Sequence, residues 1–86
     1  MALVIVERSF EEPQVFDDLQ AAESAVAWCL EQNSVTFLRS YFAVDRKRMI
    51  CLYEAPDAEA VRRTQKEGGL SYTRIYSVDT IEGETP

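Results

Sequence analysis

Glu7, Arg39, Tyr41, Tyr53 and Tyr76 are the side chains of this sequence best suited to chemistry. A carboxylate such as Glu7 can accept a proton. An arginine such as Arg39 can clamp an anion through paired N–H donors, and tyrosines can donate hydrogen bonds to a bound molecule. A second reading of the same five is a Glu7–Arg39 ion pair in a tyrosine-lined subunit interface, because Tyr and Arg are enriched where proteins meet. The sequence has no histidine, no Ser/His/Asp set, no glycine-rich phosphate loop and no nucleotide fingerprint. No catalytic residue is therefore assigned and no cofactor is implied. Cys29 and Cys51 stand in no metal-ligand spacing. With Glu7, Glu54 and the terminal amine they are possible metal donors, but the two cysteines read instead as buried structural thiols, so no metal residue is assigned.

These side chains need a frame, and the stretch Val35 to Glu54 supplies its centre. Two runs rich in β-branched and aromatic residues, Val35–Phe42 and Met49–Glu54, flank a short polar turn at Asp45-Arg46-Lys47. That pattern specifies an antiparallel hairpin. Ala2–Val6 is apolar on both faces, as in a central strand, and Glu7 and Arg8 after it point to opposite sides. Ser9–Phe16 reads as a loop. A helix then runs over about 18–32, with Asp17 as N-cap, Gln20 completing a capping box, and Leu19, Ala22, Val26, Cys29 and Leu30 as its apolar stripe. Trp28 lies off that stripe, and Asn33 takes the left-handed turn at the end. A second helix covers Ala58–Glu67 between an Asp57 N-cap and Gly68-Gly69, with Ala60, Val61 and Thr64 inward. The last strand runs from Tyr72 to Thr80, with Ile75, Tyr76 and Val78.

The order β, α, β, β, α, β predicts an α+β, ferredoxin-like βαββαβ sandwich, with a four-stranded antiparallel sheet and two helices on one face. Residues 1–80 form one domain and 81–86 an acidic, frayed tail. Placing Leu38, Phe42, Ile50 and Leu52 under the helices leaves Arg39, Tyr41, Cys51 and Tyr53 on the uncovered face, with Leu3, Ile5, Phe37 and Tyr76. A one-residue error would invert that assignment. It also puts Cys29 and Cys51 on opposite sides of the sheet, against a disulfide.

Charge narrows the partners. Nine basic against fifteen acidic residues give a net charge of −6, which argues against a nucleic-acid module. Arg46, Lys47 and Arg48 read as a solvated hairpin tip. The apolar run Ala2–Val6 is five residues, too short for a membrane helix or a signal core, so the expectation is a cytoplasmic protein with no membrane partner.

Four runs carry a resemblance: Val4-Ile5-Val6-Glu7-Arg8, Ala27-Trp28-Cys29-Leu30, Phe37-Leu38-Arg39-Ser40-Tyr41, and Met49 through Arg62. Together they resemble a widespread bacterial family of small ferredoxin-like proteins, over about Leu3 to Val78. Most of that family has no assigned function. Its studied actinobacterial branch is nickel-responsive, nickel-binding and dimeric. The resemblance implies the fold reached above and a homodimer of the dimeric α+β barrel type. It transfers no metal ligand, because nickel favours imidazole and this chain has none.

The functional expectation is a small ligand-binding or sensing homodimer. Its pocket between two sheets would hold a small anionic or aromatic ligand on Glu7, Arg39, Tyr41, Tyr53 and Tyr76. The alternative is a small cofactor-independent enzyme of monooxygenase or isomerase type using the same pocket, by analogy of fold.

Overall fold

The computed structural model describes residues 1–25 and 27–83. β1 (Ala2–Ser9) and β3 (Arg48–Ala55) are the two central strands of an antiparallel sheet. β2 (Thr36–Phe42) and β4 (Arg74–Val78) are its edges, in the order β2-β3-β1-β4. Helices α1 (Phe16–Ala25), α2 (Ala27–Gln32) and α3 (Ala58–Gly68) complete the α+β sandwich. The expected stripe residue Val26, between α1 and α2, lies outside the described residues, as do positions 84–86 of the expected tail. Among the described residues no helix is long and apolar enough to cross a membrane.

The core lies between the helices and one sheet face. Val4, Val6 and Arg8 of β1 pair with Tyr53, Cys51 and Met49 of β3, and all six are buried, with Ala60 and Val61 of α3 packed among them. This register corrects the expected faces of the hairpin. Met49, Cys51 and Tyr53, not Ile50 and Leu52, lie under the helices. The strand is apolar on both parities, so periodicity could not choose between them. On β2 the correction has a second cause. Phe37 pairs with Tyr53 and the next aligned pair is Arg39 with Leu52, so Leu38 is a bulged extra residue. Before the bulge Phe37 turns toward the helices, its ring edge-on to Tyr53 with centroids 5.6 Å apart. After it Arg39 and Tyr41 take the open face, aligned with Leu52 and Ile50. Cys51 moves to the helix side with the rest of its parity, and both cysteines are buried and free.

The helix ends follow local chemistry. Asp57 caps α3 by accepting from the Ala60 amide at 2.8 Å, as expected from its type. At the other end Gly69 takes φ 68, and the Leu70 amide reaches back to Gln65 O at 2.9 Å. α1 starts one residue before the expected cap. The amides of Asp18 and Leu19 bond to Val15 O, so Asp17 lies inside the first turn, where it suits the helix dipole without capping. The same closing motif ends α2, but at Ser34 (φ 58) rather than Asn33. The Val35 amide bonds to Leu30 O at 2.8 Å, while Asn33 Nδ2 covers Cys29 O at 2.9 Å.

α1 differs from α3 in how it sits. α3 buries four residues, Ala60, Val61, Thr64 and Gln65, while α1 buries none. Leu19 is the α1 side chain packed against the core, and Ala22 of the expected stripe is exposed.

Removing the Asp57 carboxylate should destabilise the fold through α3. Asp57→Ala is expected to lower the unfolding free energy by about 1 kcal/mol, measured by urea denaturation.

Candidate functional site

The two faces of the sheet present two different sets of polar groups. On the open face the aligned residues form rows across all four strands. One row is Arg39, Leu52, Ile5 and Tyr76, and the next is Tyr41, Ile50, Glu7 and Arg74. The Tyr76 hydroxyl donates to Glu7 Oε2 at 2.6 Å, joining the two rows on the β1–β4 side. That bond, followed by partial desolvation, raises the Tyr76 pKa, because ionising the phenol would set an anion against the carboxylate. Leu3, Ile5 and Leu52 are half-buried between these edges, and Tyr41 and Ile50 are exposed. Among the described residues neither Arg39 nor Arg74 is held by an ion pair, so the apolar centre is flanked by two guanidinium groups open to an anion.

Four of the five residues singled out in the sequence, Glu7, Arg39, Tyr41 and Tyr76, therefore share this face. The expected Glu7–Arg39 ion pair does not form. Glu7 turns to Tyr76, and β3 separates β1 from Arg39. Tyr53 stands apart, fully buried on the helix side.

There Tyr53 joins a polar cluster that sequence reasoning missed. Arg8 is 7% exposed beneath the helices. Its Nη1 donates to Ser71 O and its Nη2 to Gln65 Oε1, both at 2.6 Å. Glu23 of α1 places Oε1 3.8 Å from Arg8 Nη2 and 3.3 Å from the Tyr53 hydroxyl that donates to it. Cys51 Sγ lies 4.0 Å from the same oxygen and accepts from Ser40 Oγ at 3.1 Å. Burial, and then the nearby Glu23 carboxylate, push the Tyr53 phenol well above its ordinary value. The available signal was small: Arg8 continues the parity of Val4 and Val6, so a charge had to follow them inward, and Glu23 falls one turn after Leu19 on α1.

A cavity of about 170 Å³ opens beside this cluster, lined by Arg8, Phe10, Leu19, Ala22, Glu23, Met49, Gly69, Leu70 and Ser71. A second, of about 240 Å³, shares Leu19, Glu23 and Met49 with it and reaches Phe16, Phe37 and Ser40. The sheet side of α1 is thus flanked by open space.

A family model described as "Nickel responsive protein SCO4226-like" matches residues 5–78. The chain belongs to this family. It is also similar to the crystal structure of SCO4226 from Streptomyces coelicolor A3(2), with a TM-score of 0.83 and 23% identity, over 94% of this chain and 100% of that one. At that identity the likeness carries the fold, which is the ferredoxin-like one. No curated protein matches the sequence.

The family's description raises nickel, and the donor set can be tested against it. The chain has no histidine. Among the described residues no three Cys, Asp or Glu side chains gather where they could hold a metal ion. The pair that does approach, Cys51 Sγ and Glu23 Oε1, is 4.0 Å apart and brings two donors where nickel takes four or more. The described residues do not fit a resident nickel ion.

The raised Tyr53 pKa has a pH consequence. The buried hydroxyl favours the folded state while it stays protonated. Above pH 10 the unfolded chain begins to lose the proton that the folded state keeps, so stability falls as pH rises from there. The slope from this group is about 1 kcal/mol per pH unit. Urea unfolding on either side of pH 10 should show this loss, and Tyr53→Phe should flatten it.

Proposed function

We propose that the protein is a small ligand-binding or sensing protein of the cytoplasm. Two copies pair open sheet face to open sheet face and hold a small anionic or aromatic molecule between them. One observation carries the reading: an apolar strip of Leu3, Ile5, Ile50 and Leu52 lies uncovered at the centre of the sheet, flanked by Arg39 and Tyr41 on one edge and Tyr76 and Arg74 on the other. Bare apolar strips of this kind mark interaction surfaces. A second copy supplies a matching strip, because a two-fold interface is self-complementary.

The polar groups then have distinct roles. Arg39 meets the ligand's negative charge with a bidentate pair of N–H donors. Tyr41 and Tyr76 offer ring faces and hydroxyls to an aromatic body. The Glu7 carboxylate, through the 2.6 Å bond from Tyr76, fixes that ring's position at the far edge of the strip. Nickel enters this reading as a property of the family and not as a ligand of this chain.

The pairing is tested by the mass of the particle in solution. Light scattering behind size exclusion should give a dimer at micromolar concentration, and Leu52→Asp should give a folded monomer. A wild-type monomer would overturn the pairing. Benzoate and salicylate should raise the melting temperature of the dimer, and Arg39→Ala should remove that rise while leaving the dimer intact. Nickel chloride added to protein without a histidine tag should leave the melting temperature unchanged, and purified protein should retain no stoichiometric nickel.

A further inference from the structure

The ion pair on the helix side joins a buried arginine to a half-buried glutamate and is incompletely made. Charge-assisted N–H···O contacts close to about 2.7–2.9 Å, whereas Glu23 Oε1 stops 3.8 Å from Arg8 Nη2. Ser71 O and Gln65 Oε1 engage two of the five N–H donors of Arg8. The Glu23 side chain is 22% exposed and no hydrogen bond among the described residues uses its Oε2, whereas Gln65 Nε2 is a fully buried donor with no partner. Gln65 cannot relieve this by turning its amide over, because the Arg8 guanidinium demands its oxygen. A buried arginine whose counter-charge stays this loose, beside a buried donor with no partner, calls for an explanation.

The explanation lies in the cavity of about 170 Å³ that both charged groups line. Its remaining walls are mainly apolar, from Phe10, Leu19, Met49 and Leu70. An engineered cavity of about 150 Å³ takes up benzene, so this one suits a molecule with one branched or aromatic side chain and is too small for a larger cofactor.

The charges select the class of guest. A simple carboxylate on Arg8 would set a second negative charge against Glu23, and a simple amine on Glu23 would face Arg8. A zwitterion satisfies both groups and leaves the cleft neutral. In an α-amino acid the carboxylate and ammonium are adjacent, as the guanidinium and carboxylate are here. We propose that the cleft between α1 and the sheet binds a free apolar α-amino acid, its carboxylate on Arg8, its ammonium on Glu23 and its side chain against Phe10, Leu19, Met49 and Leu70. α1 is suited to admit it, since it buries no residue of its own and has open space on both flanks of Leu19 and Glu23. Glu23 would close the site by moving with its helix. This site lies across the sheet from the proposed subunit interface and does not depend on it.

The test uses L-leucine and L-methionine, with isovalerate and isoamylamine as half-ligands, in calorimetric titration and thermal melting. The amino acids should bind and raise the melting temperature, and each half-ligand should bind at least about tenfold more weakly, the scale of one charged hydrogen bond. Glu23→Gln should weaken leucine by a similar factor. Ala22→Trp, which fills the cleft from an exposed position on α1 and leaves Arg8 and Glu23 themselves in place, should abolish binding while the protein stays folded. Leu52→Asp should leave leucine binding unchanged, so failure of the dimer and failure of this site are separable. Absence of leucine and methionine binding at millimolar concentration would overturn the proposal. So would half-ligands that match the amino acids, or a folded Ala22→Trp protein that binds leucine as well as the wild type.

Discussion

The pairing of β1 with β3 at the centre of the sheet governs the rest of the structure. It fixes Val4, Val6 and Arg8 against Tyr53, Cys51 and Met49 on one side, and Leu3, Ile5 and Glu7 against Glu54, Leu52 and Ile50 on the other. Because strand side chains alternate, a shift of one residue would exchange the two sets completely. The helices cover only the first set. Consecutive residues, Glu7 and Arg8, therefore belong to different chemistry: one hydrogen-bonds Tyr76 on an open surface, the other is buried under α1 and α3.

The two faces handle charge differently. On the open face Arg39 and Arg74 keep contact with water, so holding them there costs little and leaves them available to an anion. On the covered face Arg8 has lost nearly all its water and is compensated by Ser71 O, Gln65 and, loosely, Glu23. The acidic excess of the chain bears on neither set directly, since most of the acids of the first 32 residues lie in exposed loop and helix positions. Membership of a nickel-responsive family sits beside a chain without imidazole, and what the described residues do bring together is an arginine–carboxylate centre.

Much of the architecture could be read from residue order. The strand–helix alternation gave the ferredoxin-like topology, the apolar runs identified the central strands, and Asp57 and Gly69 marked the ends of α3. The faces of the hairpin could not be read, because β3 is apolar on both parities and the Leu38 bulge changes the parity of β2 midway. Arg39, Tyr41, Glu7 and Tyr76 were still grouped correctly. Glu7 follows from the alternation of β1, while Arg39 and Tyr41 lie beyond the bulge, which leaves them on the open face and turns only Phe37 inward. Tyr53 was misplaced by the β3 inversion alone. The Arg8–Glu23–Gln65 cluster was illegible for another reason: its members lie 15 and 42 residues apart in sequence, and only the packing of α1 and α3 on the same side of β1 brings them together.

The proposed pairing requires the uncovered sheet face to be occupied in solution. A soluble paramagnetic agent, titrated while side-chain NMR signals are followed, tests this directly. The account predicts that Ile5, Ile50 and Leu52 are shielded, while Val44 at the hairpin tip, 96% exposed, is bleached. Bleaching of Ile50 and Leu52 as strong as that of Val44 would contradict it.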